Sequence, residues 1–391
     1  MKRFHTAVAG CLLALFAAAA HGATTYELDV LPADHTVLRD SVTGATLTFL
    51  TTHTASSALY FHEHSWLADG SMIIFRSRAL GLAGYLTATG ELVRITTPQG
   101  SVGGPTCAAV RNSIFCVRNG QVLELTPEIE ISDAPDRRRS RVTISEQVIA
   151  EPGFGGQLNP SCDDSYVSLA RGSTVFIIGV ESGEVREVCS APDGVSWAGH
   201  LQWSRTDPNF LSFAADSPRI WVVDIREGVP RAPYSERTGE LVTHESWWVN
   251  DQILFCGALR PGGQDQSHVK VLDPSTGLVR VAGAGAWWPG ATASELAERN
   301  WWHCAGSSDG RWIVADNWHG TLMLFEGTTT RPRLLTAGHR TYGRGTHPEP
   351  GWDREGRQVI FSSHMLSDEV NACVADIPDA WQETNPAPVG R

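Results

Sequence analysis

Short apolar runs of strand length recur along the chain, each bracketed by turn residues. Residues 73–76 follow Asp69-Gly70, and 113–117 and 122–125 flank Asn119-Gly120, a dipeptide suited to a two-residue hairpin. Runs 166–170 and 175–180, 210–214 and 220–225, and 253–256 and 269–272 come next in pairs. Pairs 312–315 with 322–325 and 359–362 with 372–375 complete the series. No long segment of 3.6-residue period competes with this strand pattern, and only 293–299 reads as helical.

The turns set a repeat length. Asp164 to Asp207 and Asp207 to Asn250 are each 43 residues, and Asp309 to Asp353 is 44. The 95 residues from Asp69 to Asp164 suit two repeats, and the 59 from Asn250 to Asp309 suit one repeat with an insertion. Spacings of this size belong to four-stranded propeller blades. One blade per apolar pair predicts an all-β, single-domain, seven-bladed β-propeller over residues 23–391. The Asp-Gly turns read as hairpin turns, so they define architecture and not chemistry.

The segment 300–364 makes the repetition plainest. His303 precedes Ser308-Asp309-Gly310 and an apolar strand; His347 precedes Asp353-Arg354-Glu355-Gly356 and another. Inner blade strands surround a central channel, so equivalent positions are expected to converge there. Other histidines precede apolar pairs too: His62 and His64, which period-2 spacing would place on one side of an extended 60–66 segment, then His200 and His244.

Composition narrows the setting. The chain has 391 residues, 42% of them hydrophobic, enough for a large core. Its net charge of -12 argues against non-specific nucleic-acid binding. Residues 1–22 read as an export signal: Lys2 and Arg3, an apolar run, and Ala20-His21-Gly22 as a cleavage site. The run is too short to cross a bilayer. The expectation is a periplasmic or secreted protein with no membrane span, a monomer or a dimer. An oxidising compartment permits disulfides, with Cys107–Cys116 the best-placed pair and Cys162–Cys189 the next.

Several segments carry a resemblance in their order: Trp197-Ala198-Gly199-His200, Arg219-Ile220-Trp221, Thr243-His244-Glu245, His303, Thr346-His347-Pro348 and Ala375-Asp376-Ile377-Pro378. From about Tyr60 to Trp381 the chain resembles the oligogalacturonate lyases, seven-bladed propellers that cleave pectic oligosaccharides by β-elimination. The resemblance implies an acidic oligosaccharide substrate and a manganese ion held by three histidines and a glutamine. Its ligand positions fall on His303, His347, Glu349 and Arg344. Glutamate is an acceptable oxygen ligand for manganese. A guanidinium has no lone pair to offer, so Arg344 at the glutamine position departs from the pattern.

β-Elimination from a uronate needs the C5 proton removed while the adjacent carboxylate is neutralised. Arg344 is therefore expected to bind substrate in place of some of the metal's charge, with His64 and Tyr342 as further candidate contacts. An ion pair between Arg344 and Glu349 is the alternative. The resemblance makes Arg219 the catalytic arginine and His244 a nearby active-site histidine. Histidine titrates in the right range for a base, so on chemistry His244 or His200 takes that role and Arg219 binds the uronate. Both assignments stand open on the sequence.

Other classes fit less well. No GxSxG elbow is present for a serine hydrolase. A glycoside hydrolase needs paired carboxylates, for which Glu63, Glu245 and Glu349 are candidates. Tyr60 or Tyr342 with a histidine would make the acid-base pair of an ulvan-type lyase. A TolB-like propeller that only binds is the non-catalytic reading.

Overall fold

A computed structural model describes residues 23–132, 139–192, 195–258 and 266–385. The expected export signal, residues 1–22, lies outside them. Among the described residues no helix is long and apolar enough to cross a membrane.

Seven antiparallel sheets follow one another along the chain, one per blade. The predicted strand pairs are the middle strands of their blades: Tyr166–Arg171 with Thr174–Gly179, Ile253–Ala258 with Ser267–Leu272, Trp312–Asp316 with Leu322–Glu326. These runs are continuously apolar because a middle strand is buried on both faces. Ile313 and Ala315 pack against the fifth blade through Leu254 and Cys256. Trp312 and Val314, on the opposite face of the same strand, pack against the seventh through Phe49 and Val359. Each of the seven apolar clusters spans two neighbouring blades, so the core is a ring of interfaces.

Local sequence explains the irregular blades. Asn119 and Gly120 both have positive φ, 50° and 79°, as a tight two-residue hairpin requires, and they join Ile114–Arg118 to Gln121–Ser132. That second strand and Arg139–Ala150 run 12 residues each and add Thr24–Glu27 at the edge. The fourth blade has three strands, Gly199–Trp203, Phe210–Ala214 and Ile220–Asp224. Its outer edge is reduced to a bridge from Val222 to Arg231, because Pro230 and Pro233 lack the N–H a ladder needs. The expected helix is Ala293–Ala297, capped by Thr292 and Glu295; Asp379–Thr384 is a second that the pattern did not announce.

The expected disulfides do not form. All seven described cysteines are free. Cys107 lies opposite Ile114, which leaves Cys116 diagonal to it across the ladder, beyond the reach of an S–S bond. Cys162 follows the innermost strand of its blade while Cys189 is on the outermost, Val185–Ser190.

Ring closure is made by the N-terminal part of the chain. Thr46–Phe49 pairs with Asn371–Asp376, setting Phe49 opposite Cys373 and Leu47 opposite Ala375, and Thr36–Arg39 adds the outer strand. Phe49 is fully buried in the interface between the sixth and seventh blades. Phe49→Ala is expected to cost about 3–5 kcal/mol, read as a lower midpoint in urea unfolding with an unchanged slope.

Candidate functional site

The polar centre sits where the inner strands begin. His200 and His244 stand at the start of Gly199–Trp203 and Thr243–Trp247, and the ladder shifts register at both places, between Gly199 and Gln202 and between Thr243 and Ser246. Both residues adopt positive φ, 47° and 54°. Such bulges re-aim a side chain, here into the channel. His303 directly precedes Cys304–Gly306, and His347 and Glu349, the latter at φ 54°, precede Gly351–Trp352. Around the channel the rings follow in order: His200 to His244 6.3 Å, His244 to His303 4.1 Å, His303 to His347 5.5 Å between centroids.

The first blade supplies the floor. Its inner strand pairs at Ser56–Ser57 and again at Trp66, but the residues between leave the sheet. Glu63 N–H donates to the Tyr60 carbonyl at 2.8 Å, closing a turn. Tyr60 thereby reaches His200 (5.2 Å), His244 (6.5 Å) and His303 (6.0 Å). The turn also corrects the expectation that His62 and His64 share a side. His62 lies 5.4 Å from His200, whereas His64 Nδ1 faces Arg354 Nη1 at 2.8 Å, beyond the floor.

Two constellations occupy this centre. In the first, Glu245 is fully buried, with Oε2 3.2 Å from Arg219 Nε and Oε1 3.1 Å from His200 Nδ1. His200 Nδ1 is also 3.1 Å from Arg219 Nη2, and Arg219 lies over the Trp197 ring at 5.3 Å. A proton on Nδ1, donated to Glu245, leaves the lone pair of Nε2 facing the Tyr60 hydroxyl at 3.4 Å. Burial opposes the charge on Glu245, but the Arg219 guanidinium and the His200 hydrogen bond more than offset it and hold the carboxyl well below its usual range. Burial, reinforced by the Glu245 and Glu349 charges, pushes the Tyr60 phenol far up, so it stays protonated.

In the second, ligand atoms of His303, His347 and Glu349 all lie within 4.8 Å of one another. Asp316, which ends Trp312–Asp316, organises them. It accepts from the His303 backbone N–H at 2.7 Å, from the Glu349 N–H at 3.1 Å, and contacts His303 Nδ1 at 2.9 Å. That contact presents the other ring nitrogen as a lone pair, the usual outer-shell device behind a metal-ligating histidine. Burial holds His303 well below its ordinary range, with His347 and His200 adding to it, and burial lowers His347 too. Two neutral imidazoles and a carboxylate fit a divalent ion such as manganese.

Besides His64, two expected residues are not brought to this centre. Arg344 pairs with the exposed Asp368 at 3.0 Å, not with Glu349. Tyr342 is 43% exposed and stacks on His319 at 4.3 Å. Tyr60, a candidate partner of a histidine on the sequence, does meet one in His200, whereas Asp316 was not singled out; an aspartate closing a middle strand beside a blade-initial histidine is the signal that would have found it. A cavity of about 850 Å³ lies away from all of this beside Arg39 and Asp376.

No protein-family model matches the chain, and no curated protein is recognisably related to it. Solved structures do match. An oligogalacturonate lyase in complex with manganese superposes with a TM-score of 0.69 at 16% identity, over 91% of this chain and 99% of that one. The chain has the fold of the oligogalacturonate lyases. A second such lyase, from Vibrio parahaemolyticus, gives 0.68 at 17% identity, over 91% of this chain and all of that one. The resemblance read from the sequence holds at the level of fold.

Burial raises three carboxyls here: Glu349 to about 8, Glu63 to about 7 and Asp316 to about 6. Each folded value exceeds the unfolded one of about 4, so above that pH the unfolded chain binds fewer protons and stability falls as pH rises. The metal-stripped protein should lose thermal stability between about pH 5 and about pH 8, and Glu349→Gln should reduce that loss. Added manganese should raise the melting temperature more at the upper end, since ligation requires the ionised carboxylate. Melting curves in EDTA and in manganese at both limits check this.

Proposed function

We propose that the protein is an exported lyase that cleaves uronic-acid-containing oligosaccharides by β-elimination. The observation that carries this reading is the Glu245–His200–Tyr60 array beside the His303, His347 and Glu349 group on one channel floor. A divalent metal held by His303, His347 and Glu349 would supply Lewis-acid neutralisation of the uronate carboxylate.

In this reading His200 is the base. Its Nε2 takes the C5 proton while Glu245, at Nδ1, fixes the tautomer and stabilises the imidazolium that forms. The electrons of the C5–H bond become the new C4–C5 double bond and the C4–O bond breaks. Tyr60, kept protonated by its burial, gives its proton to the leaving oxygen and regains one from His200 across 3.4 Å. The proton balance closes with the C5 proton delivered to the new hydroxyl. Arginine keeps its proton in proteins, so Arg219 suits charge placement better than base chemistry. It holds Glu245 ionised and adds positive potential where the uronate charge develops. His244 is less suited as base: its Nδ1 faces the neutral Trp302 carbonyl at 2.6 Å, not a carboxylate that would stabilise an imidazolium, and its ring is packed against His303.

One observation favours a second reading. Burial pushes the Glu349 carboxyl up, and the Asp316 and Glu63 charges add to it, a pairing of carboxyls a glycoside hydrolase could use.

The deciding assay follows ultraviolet absorbance of the conjugated product while the protein meets pectic, ulvan and glucuronan oligosaccharides, with manganese or EDTA. A rise is expected, with His200→Ala and Tyr60→Phe lowering kcat by about 10²–10⁴-fold. Saturated products with a new reducing end would favour the hydrolase. Binding without turnover would favour a TolB-like binding propeller.

A further inference from the structure

The arc of histidines takes up the entries of blades four to seven, and the entries of the first two blades are built differently. Gly103–Cys107, the inner strand of blade two, opens on an exposed glycine, and a Cβ added to Gly103 would meet nothing within 4 Å. The channel mouth is therefore open on the side where blade two adjoins blade one.

Blade one sends Arg76 toward this opening. Arg76 stands next to last in the middle strand Met72–Ser77 and pairs with Ser57, at the start of the inner strand. It shares a strand face with Met72 and Ile74, which pack into the interface with blade two beside Cys107 and Ile114. Beyond that interface the side chain leaves the core and is 49% exposed.

The Arg76 guanidinium is uncommitted. Its ion pair with Glu63 is 3.8 Å long, too long for a hydrogen bond, and none of its donors bonds a described residue. An arginine placed only to neutralise Glu63 would meet it as a fork at about 2.8 Å. Glu63 instead accepts the Tyr60 N–H on Oε2 at 3.0 Å, and its side chain is wholly buried. An anion arriving from solvent thus meets the guanidinium and not the carboxyl beneath it. Glu63 also ties Arg76 to the Tyr60 turn, and the Arg76 charge is felt as far as Glu349.

The other arginines expected at this centre are engaged. Arg219 is bonded to Glu245 and Arg344 is paired outward with Asp368. Unpaired donors in a planar fork suit a carboxylate. On the lyase reading the carboxylate of the reacting sugar belongs to the His303, His347 and Glu349 group. The carboxylate left for Arg76 is that of a neighbouring sugar, lying toward the open entry of blade two.

We propose that Arg76 is a specificity-determining residue of the front site, holding the carboxylate of a uronate next to the reacting one. The proposal rests on the lyase reading and adds to it a residue that the elimination itself does not use.

Calorimetric titration with trigalacturonate and with its methyl ester tests it, in manganese and in a Tyr60→Phe background that limits turnover. Adding Arg76→Ala is expected to weaken trigalacturonate by about tenfold or more and to leave the ester unchanged. Arg76→Lys keeps a charge beside Glu63 but lacks the fork, so it should melt with the parent and lose less, again for the acid alone. In the otherwise unaltered chain Arg76→Ala should raise KM more than it lowers kcat, the pattern of lost binding. Undiminished trigalacturonate affinity in Arg76→Ala would overturn the proposal. So would an equal loss on the ester, or no trigalacturonate binding by the parent. Should Arg76→Ala fail to fold, Arg76→Lys decides, and an unchanged affinity for the acid overturns the proposal. Charge-selective binding through Arg76 with no absorbing product from the unaltered chain would overturn the lyase reading and leave Arg76 as a carboxylate-binding residue.

Discussion

The structure depends on closing a ring whose two ends lie far apart in sequence. Thr46–Phe49 and Thr36–Arg39 complete the sheet begun by Gly351–Trp352, Gln358–Ser363 and Asn371–Asp376, so the last blade is built from both ends of the chain. Closure fixes the radius at which all seven inner strands run. At that radius the starts of blades four to seven are side by side, which is why His200, His244, His303 and His347 form an arc although 147 residues separate the first from the last. A single loop could not hold four imidazoles in such an arc, each centroid within 6.3 Å of the next; a closed ring of rigid sheets does so as a consequence of its topology.

The price of aiming those groups is local strain. His200, His244 and Glu349 all adopt left-handed backbone, a conformation costing of order 1–3 kcal/mol for a residue other than glycine. Three such residues within one small centre, two of them at register shifts, are held there by the double-sided packing of the strands that follow. The buried Glu245 adds a second demand. Removing Arg219 or His200 would leave its charge uncompensated, so the triad is an all-or-none unit and its members cannot drift independently.

These devices also explain what the sequence could and could not disclose. The middle strands were legible because burial on both faces leaves uninterrupted apolar runs such as Ile253–Ala258 and Trp312–Asp316. Inner strands were not, being as short as Ser56–Ser57 and Gly351–Trp352 and carrying the polar residues. The convergence of His303 and His347 was legible from repetition, since they hold equivalent places ahead of their blades, whereas Glu349 beside them came from the resemblance. Parity failed at His62 and His64, because strand alternation was applied across a segment that turns at Tyr60–Glu63. Ligand order in sequence also failed to predict proximity for Arg344. It lies only five residues from Glu349, yet its partner is Asp368, supplied by the adjoining loop.

Arg344's displacement bears on how the front site balances charge. The resemblance implied a neutral glutamine and a third neutral histidine; here one position is lost to an outward ion pair and the other is a carboxylate. A divalent ion held by two imidazoles and Glu349 would keep less net positive charge than one held by neutral ligands alone, and would be a weaker neutraliser of a uronate. Arg219 stands on the other side of the floor as a compensating cation, but part of its charge is already spent on Glu245. Its remaining field is directed where His200 and Tyr60 meet, so on the lyase reading proposed above charge stabilisation would be shared across the arc and not concentrated at His303, His347 and Glu349.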